Sequence, residues 1–202
     1  GRQVLTWGTG DLVFLNDFFP KDWHFWLGRD AEYMKDPSDA LKLSLYNSFF
    51  NIDFVYTPRF DSDNYITGER IYFYDENLGR LVGQDDVIRT SQPDNWFSDD
   101  EVAIRLYKNI EGMELAFYGY NGYYKSPAGF DADEDQYIFP SLSSLGASLR
   151  TPLGPGIFNL EAAFWQSNDD RDGIYQLIKN GEKRVLIGYE WESLANFNLG
   201  LQ

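Results

Sequence analysis

The chain has 202 residues, with 17 Lys+Arg against 32 Asp+Glu for a net charge of −15. It contains no cysteine and one histidine, His24, which excludes disulfide frameworks, thiolate metal sites, cysteine nucleophiles and His-rich metal centres. The acidity argues against nucleic acid as a partner, because phosphate-backbone binding needs a basic footprint. An aromatic content of 18% at a mean hydropathy of −0.45 excludes disorder as the organising state.

Period-2 alternation runs through the chain, and a helical stripe is almost absent. The spacing predicts a strand over Arg2–Gly8. Next, Leu41, Leu43 and Leu45 alternate with Lys42, Ser44 and Tyr46, and Ile52, Phe54 and Tyr56 alternate with Asn51, Asp53, Val55 and Thr57. Val102, Ile104 and Leu106 alternate with Glu101, Ala103, Arg105 and Tyr107; Met113, Leu115 and Phe117 alternate with Glu114, Ala116 and Tyr118. The pattern returns at Leu145–Leu149, Phe158–Phe164, Val185–Trp191 and Phe197–Leu201. That makes about nine strands, most with room for the ~9–11 residues of a tilted membrane strand.

The connections alternate strictly between short and long. Tight turns fall at Asn47–Phe50, Asn109–Gly112, Pro152–Gly156 and Ser193–Ala195. Long segments fall at Thr9–Ala40, Phe60–Asp100, Lys125–Pro140 and Gln166–Lys183, with net charges of −4, −7, −3 and −1. Together these make up the whole −15, so the strands and tight turns are neutral. The acidity belongs to one class of loop.

Apolar-out strands with short turns at one end and long loops at the other are the layout of bacterial outer-membrane barrels. In lipid every backbone group must be paired, so only helices or closed barrels span. The expectation is therefore an all-β protein, an antiparallel up-and-down transmembrane β-barrel. The first-named residues of each strand face lipid and their alternates face the lumen. Rim aromatics are Phe49, Phe50, Tyr189, Trp191 and Phe197 at the turn end, and Tyr56, Tyr120, Phe164 and Trp165 at the loop end. An odd strand count and a stop in mid-strand at Gln202 suggest that residues 1–202 are a single barrel segment of a longer chain. The competing reading is a secreted soluble β-sandwich that binds carbohydrate through aromatic faces. Asymmetric loops, charge at one end, and Gly, Ala and Ser on the polar face weigh against it.

Gly1-Arg2-Gln3, Thr6-Trp7-Gly8, Asp17, Phe19-Pro20 and Asp22-Trp23 form a GRQ-x-x-x-WG strand followed by a D-x-x-P-x-D loop. This resembles poorly characterised proteobacterial porin-like proteins. Asp170-Arg171-Asp172-Gly173 with Gly188-Tyr189-Glu190 is similar to the loop-and-strand pattern of the same group. The resemblance implies an outer-membrane channel and leaves the solute open. Asn180-Gly181 alone reads as a hairpin turn, but Ile174–Lys179 lacks clean alternation and favours a loop.

The candidate pore-lining residues are Lys42, Asp53, Glu101, Arg105, Glu114, Arg150, Glu161, Arg184 and Glu190. Charged rings set selectivity in pores, and the same pairs can simply knit the lumen wall. Mixed signs argue against strong anion selectivity. With Asn109–Gly112 as the turn, Lys108 faces Met113 and Arg105 lies diagonal to Glu114. Thr9–Ala40 is the candidate segment folded into the lumen, with Trp23, His24, Trp26 and Arg29 as constriction residues; otherwise it covers the barrel mouth.

Asp131, Asp133 and Asp135 have the spacing that opens a calcium loop, but Gln136 replaces the required glycine. With Asp61, Asp63, Asp169, Asp170 and Asp172 they are candidates for loosely held divalent cations, or simply a solvated acidic face. No motif pairs a nucleophile with a base, so no catalytic residue, resident metal or cofactor is assigned. The reading is a porin-like channel of the bacterial outer membrane, not an enzyme. It passes small solutes passively, with lipid and lipopolysaccharide as surroundings and a homo-oligomer as a compatible state. A surface-adhesion barrel with a plugged lumen is the third possibility.

Overall fold

In the computed structural model of the chain, residues 2–10, 13–25, 31–76, 79–84, 87–194 and 197–202 are described. One antiparallel sheet dominates. Its strands are β1 (Leu41–Leu45), β2 (Asn51–Thr57), β3 (Glu101–Ile110), β4 (Met113–Tyr123), β5 (Ser141–Leu153), β6 (Gly156–Ser167), β7 (Glu182–Leu194) and β8 (Phe197–Leu201). Each strand pairs with the next in the chain, so the sheet is a pure meander. The chain is all-β, and among the described residues the only helical pieces are two 3-10 turns. The sheet is open: no ladder joins β8 to β1 among the described residues, and no closed barrel is present.

The predicted alternation becomes two chemically distinct faces, because successive side chains of a strand point to opposite sides. Register aligns Leu43, Phe54 and Ile104 on one face, and Ser44, Asp53 and Arg105 on the other. Charge on the apolar face is confined to Lys108 and Lys183, near opposite ends of their strands. Lys108 Nζ donates to the carbonyl of Ser48 in the β1–β2 turn, which carries its charge away from the apolar surface.

The short connections are tight because of their residues. Glu111 and Gly112 have φ of 52° and 88°, the positive values that a two-residue type I′ turn needs. Asn109 Oδ1 accepts the Gly112 N–H at 3.2 Å. The turn is thus two residues long rather than four, and Ile110, not Lys108, lies opposite Met113. This corrects the expected register by two residues, a shift that keeps every side chain on its face.

The first predicted strand is also corrected. Only Arg2–Gln3 is strand, and it pairs with Ser38–Asp39 outside the main sheet. Beyond it the chain crosses the polar face of the sheet as an extended segment. Leu5, Trp7 and Thr9 are buried while Val4 and Thr6 are exposed, so the alternation is real. It reports side-chain packing onto the sheet rather than hydrogen bonding within it. The core lies at this contact: Leu5, Trp7, Phe18 and Phe19 cluster with Val55, Ala103, Ala116, Tyr118, Tyr120 and Leu142. Phe18 stacks on Tyr120 with ring centroids 4.7 Å apart.

The long connections fold against one another at the other end. Gly129–Asp131 and Gln136–Ile138 form a small hairpin that pairs with Thr90–Ser91, and Phe60 packs on Phe139. Residues 168–181 form a loop, so Asn180-Gly181 does not close a hairpin between paired strands. Two rim aromatics are misplaced by the sequence reading. Tyr120 and Trp165 sit on the polar face, as their strand parity requires, rather than at an apolar rim.

Candidate functional site

All nine residues proposed to line a pore occur on the polar face, because all nine share strand parity. They divide by burial. Asp53, Glu101 and Glu161 are buried. Lys42, Arg105, Glu114, Arg150, Arg184 and Glu190 remain partly accessible.

Opposite charges are matched across strands. Lys42 Nζ is 3.4 Å from Asp53, and Ser44 Oγ donates to the same carboxylate at 2.6 Å. Arg105 donates to Glu114 at 2.7 Å and lies over the Tyr107 ring at 4.3 Å. In the observed register Arg105 is opposite Tyr118 and Glu114 is opposite Asn109, so the pair spans two steps of the ladder rather than one. Arg150 lies 3.8 Å from Glu190, which also accepts from Asn159 at 3.1 Å. Glu101 accepts from Tyr120 and Lys125, both at 2.5 Å.

Glu161 differs from the rest. It is 1% exposed and its carboxylate is met by neutral donors: Thr9 N–H and Oγ1, Gly10 N–H at 2.8 Å, and Asn16 Nδ2 at 2.9 Å. The extended segment leaves these amides without a strand partner, and the carboxylate supplies one. Close approach is built in at Gly146, where a Cβ would meet Asn16 Oδ1 at 1.7 Å.

Of the expected constriction residues, Trp23 and His24 are among the described residues, and Trp23 borders the cavity described below. Trp23 and His24 form part of a 3-10 turn in the loop layer, beside Asn64. Trp23 Nε1 donates to Asp63 at 2.8 Å, and His24 Nδ1 is 3.0 Å from Asp22. Trp26 and Arg29 lie outside the described residues. The residues that do cross the polar face are Leu5, Trp7, Thr9, Leu15, Asn16, Phe18 and Phe19. The sequence reading places the first two in a sheet strand, Arg2–Gly8, and Thr9 at the start of a long loop. The signal that could have separated the two is Gly8 and Gly10, which flank Thr9 at the approach to Glu161.

Between this segment, β4–β7 and the 124–128 stretch lies a cavity of about 390 Å³. Its wall combines Phe14, Phe18, Tyr124, Leu142 and Trp165 with Lys21, Lys125, Lys179 and Arg184. Arg184 lies over Trp165 at 3.9 Å. Asp17 also borders the cavity; burial pushes its carboxyl above the usual value, opposed by Lys21 at 3.1 Å and by a hydrogen bond from Thr6.

Searches with this chain against protein-family models, curated proteins and solved structures find no match. Its own geometry has to carry the reading.

Four of the eight loop carboxylates that were candidates for holding cations accept hydrogen bonds from nearby amides and side chains. Asp131 accepts from Asp133 and Glu134, Asp169 from Ser141, and Asp170 from Ile174 and Tyr175. Asp63 accepts from Lys21 N–H, Trp23 and Ser126. Among the described residues, no group of three or more His, Asp or Glu is arranged to hold a metal ion.

Proposed function

We propose that this chain is a stretch of wall from a bacterial outer-membrane β-barrel, and that the barrel is a porin-like channel for passive passage of small solutes. The observation that carries the reading is the inversion of the sheet's two faces. The face covered by other parts of the chain bears the charges, while the bare face bears Leu43, Phe117, Leu145, Phe164, Val185 and Ile187, all exposed. A sheet in water does the reverse, because apolar surface is what folding removes from solvent. A contiguous bare apolar face of this size needs a partner phase. On β5 it runs from Leu145 to Leu153, nine residues and eight steps, or ~27 Å along the strand at ~3.4 Å each, close to the ~25 Å apolar band of outer-membrane barrels. A soluble sandwich would cover this face with a second sheet, and the chain's own covering segment lies on the opposite side.

In this reading the acidic long loops face the cell exterior, the tight turns face the periplasm, and further strands complete the barrel beyond β1 and β8. Lipid and lipopolysaccharide surround it.

The absence of cysteine makes the test direct. Single cysteines at Leu145, Phe117 and Val185, and at Ser44, Gly200 and Arg150, are introduced into the full-length protein expressed in a Gram-negative host. The first set should react only with lipid-soluble maleimide and the second only with a water-soluble one, in an outer-membrane fraction that shows heat-modifiable gel mobility. Equal labelling of both sets by the water-soluble reagent, with the protein free in the periplasm, would overturn the reading. Single-channel recording then separates a conducting pore from a plugged barrel whose loops act in adhesion.

A further inference from the structure

We propose that the cavity beside Trp165 is a binding site for a small amphiphilic anion, an organic acid with one anionic group on a compact apolar body. The proposal names a solute class for the channel read above and rests on that reading for its transport role, though not for binding itself. The argument follows from which of the wall's charges are already engaged.

Lys21 is 3.1 Å from Asp17 and donates to the Phe19 carbonyl at 2.7 Å. Lys125 is held by Glu101 at 2.5 Å and donates to the Asp61 carbonyl at 2.8 Å. Asp63 accepts three hydrogen bonds from the surrounding segments. These groups are internally matched and serve as structure. Lys179 and Arg184 are not matched in the same way. Both engage the one carboxylate of Glu182, Lys179 at 3.1 Å and Arg184 through Nε at 2.9 Å. Two cations share one anion, so the Lys179–Arg184 side of the wall carries one positive charge in excess, which Asp63, bonded only to neutral donors, balances over the described wall as a whole.

That excess sits against aromatic surface. Arg184 lies over Trp165 at 3.9 Å and Lys179 over Tyr124 at 5.6 Å. A guanidinium bound through Nε still has its Nη edge to offer, a geometry suited to a carboxylate. Stacking on a ring leaves that charge less hydrated than free in solution. Facing it, Phe14, Phe18 and Leu142 form an apolar wall. A volume of about 390 Å³ is at the lower end for small-molecule sites. The combination discriminates twice: the cations reject a neutral or cationic analogue, and the apolar wall gives little to an anion lacking a body.

The test uses the purified full-length protein in detergent and phenylacetate as probe, with binding read by equilibrium dialysis and by tryptophan fluorescence. Phenylacetate should bind saturably and at least tenfold more tightly than phenylacetamide, phenethylamine or acetate. Arg184→Gln and, independently, the more exposed Lys179→Gln should each weaken binding about tenfold, while Arg171→Gln on an outer loop leaves it unchanged. Each variant is compared only if it keeps its heat-modifiable mobility, and Lys179→Gln guards against loss of fold at Arg184. Equal affinity for phenylacetate and phenylacetamide, or insensitivity to both substitutions, would overturn the site. Binding without conductance overturns the channel and keeps the site; conductance without selective binding does the opposite.

Discussion

Glu161 shows how a single carboxylate can hold a segment with no regular structure. Its four donors among the described residues come from Thr9, Gly10 and Asn16, and none of them is a cation. Hydrogen bonds to a charged group contribute about 1.5–3 kcal/mol each, and a buried donor left without its partner costs about 1–3 kcal/mol. Glu161→Ala should therefore loosen the N-terminal segment by about 3 kcal/mol, read as a ~100-fold faster hydrogen exchange at the Thr9 and Gly10 amides. Unchanged protection there would sink the latch. Asp99 offers a pH-dependent counterpart in the loop layer. Backbone bonding from Asn95 holds its carboxyl below the usual value, with further support from the Asn95 side chain and Tyr123. A carboxylate with a depressed folded value stabilises above its unfolded value, and that contribution is lost as pH falls through the folded value. Acid titration followed by NMR should show the Asn95 amide shifting below pH ~4, with the wild-type pH dependence abolished in Asp99→Asn.

The strands were the most legible elements, because a period of two survives any uncertainty in register. The β3–β4 hairpin makes the point: its turn was read two residues too long, yet Arg105 and Glu114 remained on one face and still meet at 2.7 Å. The long Arg side chain spans the extra step that the tighter turn introduces. The same parity places Tyr120 and Trp165 inward, against the pull of a rule that puts aromatics at rims; parity prevailed because it is imposed by backbone geometry. At this scale two positions on the apolar face of β5 make opposed predictions. Leu149→Arg, at the centre of the band, should cost about 2–4 kcal/mol in folding stability measured in phospholipid bilayers, as for charge at mid-membrane. Ser143→Arg, near the loop-end edge of the same face, should cost about 1 kcal/mol or less. Equal costs at both positions would remove the basis for a lipid-facing band.

Taken as a whole, the molecule joins an eight-stranded meander to a segment that closes off its polar face. In the barrel proposed above this segment would obstruct the lumen, and it is held by packing as well as by Glu161. Trp7 meets Phe19 edge-on at 5.0 Å, and Phe18 stacks on Tyr120. Removing an aromatic side chain from such a contact costs about 3–5 kcal/mol. The double variant Trp7→Ala, Phe18→Ala should thus displace the segment and raise single-channel conductance of the full-length protein. A conductance equal to the wild type's would place the solute path away from this contact.

Two properties follow from the sequence without any fold: the sorting of residues into an apolar and a polar face, and the concentration of acidity in one family of loops. Both are local, one being a two-residue period and the other a count of charges between strands. Which segment covers the polar face is not local. Thr9 and Glu161 are 152 positions apart, and Trp165 donates to the Leu15 carbonyl across 150. No spacing within either stretch encodes such contacts, so Leu5 and Trp7 read as part of one more strand until the sheet beneath them is in place. The cavity has the same origin. Its wall forms only when folding brings Phe18, Leu142 and Trp165 to the Lys179–Arg184 pair.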